Sequence, residues 1–353
     1  MSESALAERF VRLIEATGPI SVVHYMAESN ARYYASRDPL GAPVPGRDMG
    51  GDFVTAPEIS QMFGELIGLW LADGWTRAGR PAPVHYVELG PGRGTLARDA
   101  LGAARRFGLV PEVHLVEASP ALAAVQRGLL PDATWHSDLT TVPEDGALLV
   151  VANEFLDALP VRQLIRTAQG WRERMVGLVE GKLAFVAGDR PMDSASDLPE
   201  AAEGTIVEAC PASAAIVGEV ARRLAAQGGA ALFIDYGHSS PRTGSTLQAV
   251  RAHRKLDALA APGEADLTAH VDFAALAHLA QAHGARWCGT VAQGAFLRAL
   301  GIEARADALA SAAPEQAEAV VAAKDRLVGA EQMGALFKAM ALTDPEWPAP
   351  AGF

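Results

Sequence analysis

Apolar positions along this chain follow two rhythms. Near the start they recur at helical spacing, as Leu6, Phe10, Leu13 and Ile14, until Thr17-Gly18-Pro19 ends the stretch. A second helical face, Ile59, Met62, Phe63, Leu66 and Trp70, follows Thr55 and Glu58, which have capping-box spacing, with Pro57 suited to a first turn. Between the two, residues 33–52 are rich in Gly, Pro and Arg and read as a loop of about 20 residues, a length typical of lids and binding loops or else of disordered segments.

From residue 84 the rhythm changes to short, mostly apolar runs with polar ends. Val84–Leu89, Val113–Glu117, Ala133–Leu139, Ala147–Ala152 and Gly229–His238 read as strands, and unbroken apolar stretches such as Ala147–Ala152 predict strands buried on both faces. Helical patterns at Leu96–Ala104 and Ala212–Ala226 interleave with them, which predicts a doubly wound α/β sheet. Residues 161–208 alternate and are split by Gln169-Gly170 and Glu180-Gly181 turns, the pattern of an antiparallel hairpin insertion. Thr246–Asp257 and Pro262–Phe273 are polar without amphipathic spacing and read as loops that could wall a site. Ala304–Leu342 reads as Ala-rich helix and the Pro-rich tail from Thr343 as loose. The expected division is a helical region with lid at 1–80, a ligand-binding domain at 81–300 carrying the 161–208 insertion, and C-terminal helices with the tail at 301–353.

At 353 residues and 50% hydrophobic composition the chain can bury a large core, and its net charge of −12 argues against a nucleic-acid surface. Cys210 and Cys288 are too few for a disulfide framework, and no His/Cys/Asp spacing resembles a metal site, so no metal is expected. No apolar stretch approaches the roughly 18 residues of a membrane span, and the first residues, acidic and without an apolar core, fit neither a signal nor a transit peptide. A cytoplasmic chain with reduced thiols is the expectation.

The candidate chemistry centres on Glu88-Leu-Gly90-Pro91-Gly92-Arg-Gly94-Thr95-Leu96, a glycine turn between strand and helix that exposes backbone to a ligand. Its order is Glu-x-Gly-x-Gly-x-Gly rather than the dinucleotide Gly-x-Gly-x-x-Gly. An acid before the glycines repels a pyrophosphate and suits an ammonium group, which points to S-adenosylmethionine (SAM); a ligand-free turn and a nicotinamide or flavin site are the alternatives. Glu117, 23 residues beyond Gly94, stands where a carboxylate takes ribose hydroxyls, with Ala118 and Ser119 beside it. Asp138 and Leu139 end the next strand at the place for an adenine acceptor, and Asn153, Glu154 and Asp157 follow the fourth strand, over the cofactor's reactive end. Glu58, Ser60 and Gln61 are further cofactor candidates; Ser60, Gln61 and Gly64 make a small polar notch on an otherwise apolar helix, with ordinary helix packing as the alternative.

Gly51–Glu65, Val87–Leu96, Asn153–Pro160 and Asp235–His238 stand in the order seen in the MidA family of class I SAM-dependent methyltransferases, which the chain resembles over roughly residues 5–330. The resemblance implies a Rossmann-like, mostly parallel seven-stranded sheet with SAM as cofactor. Mitochondrial members are complex I assembly factors that dimethylate an arginine on a core subunit, so it also implies a protein substrate, with a bacterial origin suggested by the missing presequence. A guanidinium substrate needs carboxylates to hold it and a proton acceptor. Glu154 is the leading anchor, Asp157 and Asp235 the supporting ones, and His238 the candidate acceptor. A small-molecule methyltransferase and a SAM-binding assembly chaperone remain the other readings, with an oxidoreductase more distant.

Overall fold

The computed structural model describes residues 5–36, 54–192, 200–252 and 254–353. Its contacts group the chain into two units of three segments each: Met1–Phe53, Asp157–Ser213 and Ser240–Asp272 form one, and Val54–Leu156, Ala214–Ser239 and Phe273–Phe353 the other. The segments interleave, whereas the sequence reading placed sequential limits after residues 80 and 300.

The second unit is built on seven strands in the order Arg286–Ala292, Phe337–Thr343, Gly229–His238, Ala147–Asn153, Val84–Leu89, Glu112–Val116 and Thr134–His136. The last five run parallel, while Phe337–Thr343 is antiparallel to both its neighbours. Val84–Leu89 and Ala147–Asn153 are buried at every position, which accounts for their lack of polar alternation. Mostly parallel order with helices between strands is the class I SAM methyltransferase fold expected from the sequence.

The helix Gln61–Arg77 packs on Thr95–Arg105, and glycine is required at the contact: a Cβ on Gly68 would lie 2.1 Å from the Ala100 carbonyl oxygen, and one on Gly64 would lie 2.6 Å from Asp99 Cβ. Gly64 is thus explained by helix packing rather than by a polar notch.

Several local expectations change. Phe337–Thr343 is a strand, not the end of an Ala-rich helix: flanked by strands on both sides and mostly buried, it shows tertiary position overriding alanine propensity. Arg286–Ala292 is a strand that the sequence did not mark. The tail is packed, with Trp347 buried, Trp70 Nε1 donating to the Ala351 carbonyl and Phe353 against Phe296. Thr134–His136 is shorter than expected and leads into a 3-10 turn at Leu139–Thr141. Thr55 makes no side-chain cap, and the helix breaks at Ser60, which caps Gln61–Arg77 instead by accepting from the Met62 N–H.

The first unit carries two helices, Ala5–Thr17 and Val22–Ser36, so residues 33–36 are helical rather than loop. Residues 37–52 of the expected lid lie outside the described residues. The alternating region forms an antiparallel sheet of Arg162–Thr167, Gly170–Val179 and Lys182–Pro191 with Ile206–Ala209 and Ile20–Ser21, larger than the single hairpin expected. Gln248–Arg251, Arg254–Leu256 and Asp266–Thr268 make a small antiparallel sheet in the stretches read as polar loops, with His253 outside the described residues.

Candidate active site

At the C-terminal end of Val84–Leu89 the chain turns through Gly90, Gly92 and Gly94 with φ of 61°, 55° and 85°, values that favour glycine. Gly94 donates to the Pro91 carbonyl at 2.8 Å and caps the helix opened by Thr95 and the buried Leu96. A Cβ on Gly90 would lie 2.5 Å from Phe155 Cδ2, so the glycine turn and the segment after Ala147–Asn153 are closely packed.

Glu88 is buried and accepts the Tyr86 hydroxyl at 2.5 Å. Burial pushes its carboxyl up to about 8, so at neutral pH it is mostly protonated and would attract an ammonium only after an approaching cation ionised it. Glu117 is half-buried: Oε1 accepts the Ser119 N–H at 2.8 Å and Oε2 accepts Gln126 Nε2 at 3.1 Å, while Ser119 caps the helix Pro120–Leu129 and Ala118 is exposed. Asp138, also exposed, accepts the N–H and hydroxyl of Thr140, which lower its pKa; Leu139 beside it is buried.

Sequence reasoning missed Gln126. Fully buried, it donates to the Gly92 carbonyl at 2.7 Å and to Glu117, and accepts Trp135 Nε1 at 2.9 Å. Its signal was present: an amide on the buried face of Pro120–Leu129, in step with Leu122 and Ala123.

Asn153 ends its strand 8% exposed. Its Nδ2 donates to Glu154 Oε1 at 3.1 Å, while its Oδ1 is buried with no hydrogen-bond partner. A buried carbonyl oxygen left open is costly unless a ligand donor meets it. Glu154 holds a left-handed φ of 50°, unusual for a residue with a side chain. Its Oε1 also accepts the Ala56 N–H at 2.7 Å. Burial raises its carboxyl to about 7, against the lowering effect of Ala56, Asn153 and the Arg326 charge.

Asp235 supports this turn from the neighbouring strand. It is 1% exposed; Oδ2 accepts the N–H groups of Phe155 and Leu156 at 3.1 and 2.9 Å, and Oδ1 accepts that of Tyr236. Those bonds give it a positioning geometry, and Glu154's own hydrogen bonds run to Ala56 and Asn153 rather than to Asp235 or His238. His238 is half-buried at the end of Gly229–His238. Asp157 belongs to the other unit, where it is buried, its carbonyl accepts the Ala269 N–H, and its charge with that of Asp266 raises the Tyr34 pKa behind the larger effect of burial.

Glu58 Oε1 accepts the Thr95 hydroxyl at 2.5 Å, at the start of the glycine-loop helix. Ser60 acts as a helix cap, and Gln61 is exposed and donates to Glu65. The glycine turn, the open Asn153 oxygen and the half-buried Glu117 carboxylate form a donor and acceptor set that fits a ligand with an ammonium, a carboxylate and a ribose but no phosphate.

A family model described as an S-adenosyl-L-methionine-dependent methyltransferase matches residues 66–291. The chain is 38% identical over 378 aligned residues to the mitochondrial protein arginine methyltransferase NDUFAF7 homolog of Drosophila melanogaster, covering 96% of this chain and 84% of that relative. It is 36% identical over 367 residues to the Homo sapiens protein arginine methyltransferase NDUFAF7, covering 93% and 81%. The crystal structure of a COG1565 superfamily member from Burkholderia thailandensis, bound to S-adenosyl-homocysteine, superposes with a TM-score of 0.86 at 31% identity, covering 99% of this chain and 94% of that one.

Proposed function

Because the chain belongs to the MidA-type family of S-adenosyl-L-methionine-dependent methyltransferases, we propose that the methyl group it transfers goes to an arginine nitrogen of a protein. The observation that carries this reading is Glu154: a half-buried carboxyl at a strand end, one oxygen fixed by the Ala56 N–H and Asn153, the other free of hydrogen bonds among the described residues. Relatives named protein arginine methyltransferases support the same substrate class.

The bound cofactor supplies a methyl group already activated by its sulfonium. What the chain must add is alignment and charge. A guanidinium with pKa above about 12 keeps its proton in water, so its nitrogen becomes a nucleophile only when oriented and relieved of charge. Glu154, ionised, would accept a guanidinium N–H at its remaining oxygen and turn another of the guanidinium nitrogens toward the methyl group. Asp235 would keep the Phe155-Leu156 turn, and with it Glu154, in place. His238 is proposed as the acceptor of the proton lost when nitrogen becomes methylated. Gly90, Pro91, Gly92, Gly94 and Thr95 would receive the cofactor's amino-acid end, Glu117 its ribose, and Asn153 Oδ1 its ammonium.

The proposed substrate is an arginine of a respiratory complex I core subunit, modified during assembly in a bacterial cytoplasm. The test adds purified protein and methyl-labelled SAM to extract from cells lacking it, then locates label by mass spectrometry. Label on one arginine of such a subunit, absent with Glu154→Gln, is expected. SAM binding with label only on a small molecule, or with no label at all, overturns the arginine reading in favour of a small-molecule methyltransferase or a SAM-binding assembly chaperone.

A further inference from the structure

Three adjacent strands of the sheet each bury a histidine: His85, His114 and His136, at 1, 4 and 8% exposure. Their rings form a continuous chain. His85 Nδ1 lies 3.1 Å from His114 Nε2, and His114 Nδ1 lies 3.0 Å from His136 Nε2. The outer nitrogens are also held, His85 Nε2 by Asp145 Oδ1 at 3.0 Å and His136 Nδ1 by the Thr141 hydroxyl at 2.7 Å.

At one link of this chain a carboxylate joins. Glu112 Oε2 lies 3.7 Å from His85 Nδ1, and the donor atoms of His85, Glu112 and His114 all fall within 4.8 Å of one another. We propose that His85 Nδ1, His114 Nε2 and the Glu112 carboxylate bind one divalent cation of the zinc class, completed by water. An ion about 2.1 Å from each donor would subtend about 95° between the two nitrogens and about 124° between His85 Nδ1 and Glu112, on either side of the tetrahedral angle.

Two further features fit a metal site. Both ligand histidines have their second ring nitrogen fixed, one by a carboxylate and one by another imidazole, the outer-shell arrangement that orients metal-bound histidine. Space beside the His85–Asp145 bond is kept for glycine, since a Cβ on Gly146 would lie 2.9 Å from His85 Nε2 and 2.6 Å from the Pro83 carbonyl oxygen. The Arg223 guanidinium, held by the carbonyls of Leu139, Val142 and Pro143, adds positive charge nearby; Glu112 and Asp145 supply two opposing negative charges.

His85 is at the start of Val84–Leu89, while the glycine turn leaves the end of that strand. The ion therefore joins two strands, Val84–Leu89 and Glu112–Val116, and its effect is on stability rather than on methyl transfer. Linear spacing hid the group, because parallel pairing of His85 with Glu112 and of Val87 with His114 is what assembles it.

The test uses the full-length protein stripped with chelator, then titrated with Co(II) and Zn(II). Expected are one bound equivalent, the intense visible bands of four-coordinate Co(II), and a melting temperature that rises with Zn(II). Glu112→Gln, on an exposed side chain, should keep the fold by circular dichroism and weaken binding about 10- to 100-fold. No stoichiometric binding, or binding unaffected by Glu112→Gln, overturns the site and leaves a hydrogen-bonded relay of neutral imidazoles joining the strands.

Discussion

Glu154 Oε1 and the backbone N–H of Ala56 meet at 2.7 Å across 98 positions of sequence. The bond uses one carboxylate oxygen and fixes the side chain, and the other oxygen is the one proposed to meet the substrate. Glu154→Gln keeps an oxygen for Ala56 and removes the charge. It should lower kcat for methyl transfer by about 10²- to 10³-fold. Affinity for S-adenosyl-homocysteine should stay within about threefold, since the amide keeps the turn in place. Initial rates with labelled SAM and calorimetric titration of the product check both halves; an unchanged rate would remove Glu154 as the anchor.

The same carboxyl sets a pH dependence. With its folded value raised to about 7 by burial, Glu154 is mostly neutral below that pH and cannot hold a cation. Log kcat/KM should therefore rise with pH at a slope near 1 below about 7 and level off above it. A profile flat from pH 5.5 to 8.5 would count against an ionised Glu154 in the reaction.

Glu88 gives a separate signature in stability. Its folded value, about 8 against an ordinary 4.5, means that the native state binds more protons than the unfolded chain between those values. Its favourable contribution is complete below about 4.5 and is lost as pH rises through about 8. Unfolding free energy should fall by about 3–5 kcal/mol across this window through this residue. Glu88→Gln, which cannot ionise, should flatten that decline in urea titrations at pH 5 and pH 8.5, even if it lowers stability at both.

The sequence made legible what depends on neighbours along the chain. Gly90, Gly92 and Gly94 announce a turn because few other residues tolerate their φ, and Ala147–Ala152 announces a buried strand because nothing in it suits water. Glu154 could be placed at a strand end, but its bond to Ala56 could not, since no local pattern encodes a contact so distant in sequence. Phe337–Thr343 stayed hidden because Ala335, Ala339 and Ala341 suit a helix as readily as a strand covered on both sides; only pairing with Gly229–His238 and Arg286–Ala292 decides. Asp235 was legible as a polar strand end, yet its role as acceptor for three backbone N–H groups depends on where the adjacent turn lies.

Gly90→Ala tests the close approach of the two loops. The new Cβ would meet Phe155 at 2.5 Å and would hold a φ of 61°. A cost of about 1–3 kcal/mol in stability is expected, with at least a tenfold loss of SAM affinity as the turn shifts. Adding Phe155→Ala removes the clash and leaves the backbone strain, so the double variant should recover part of the affinity and not all. Full recovery would assign the effect to the collision alone, and none would assign it to the backbone.

Gln126 is the residue whose removal separates scaffold from chemistry. Its amide, itself fully buried, joins the half-buried Gly92 carbonyl, Glu117 carboxylate and Trp135 indole. Gln126→Leu is similar in size and makes none of these bonds, so the carbonyl, carboxylate and indole N–H lose a partner together. A loss of about 2–4 kcal/mol is expected in denaturant titration. Because Glu117 and the glycine turn share this one amide, cofactor affinity should fall with stability, about 10-fold or more, while kcat at saturating SAM changes little. Gln126→Glu sharpens the result: it can accept the Trp135 N–H but sets a second carboxyl against Glu117, so its binding defect should be larger at pH 8 than at pH 6. A cofactor affinity unaffected by both variants would mean that the glycine turn holds its shape without the amide, and would restrict Gln126 to packing.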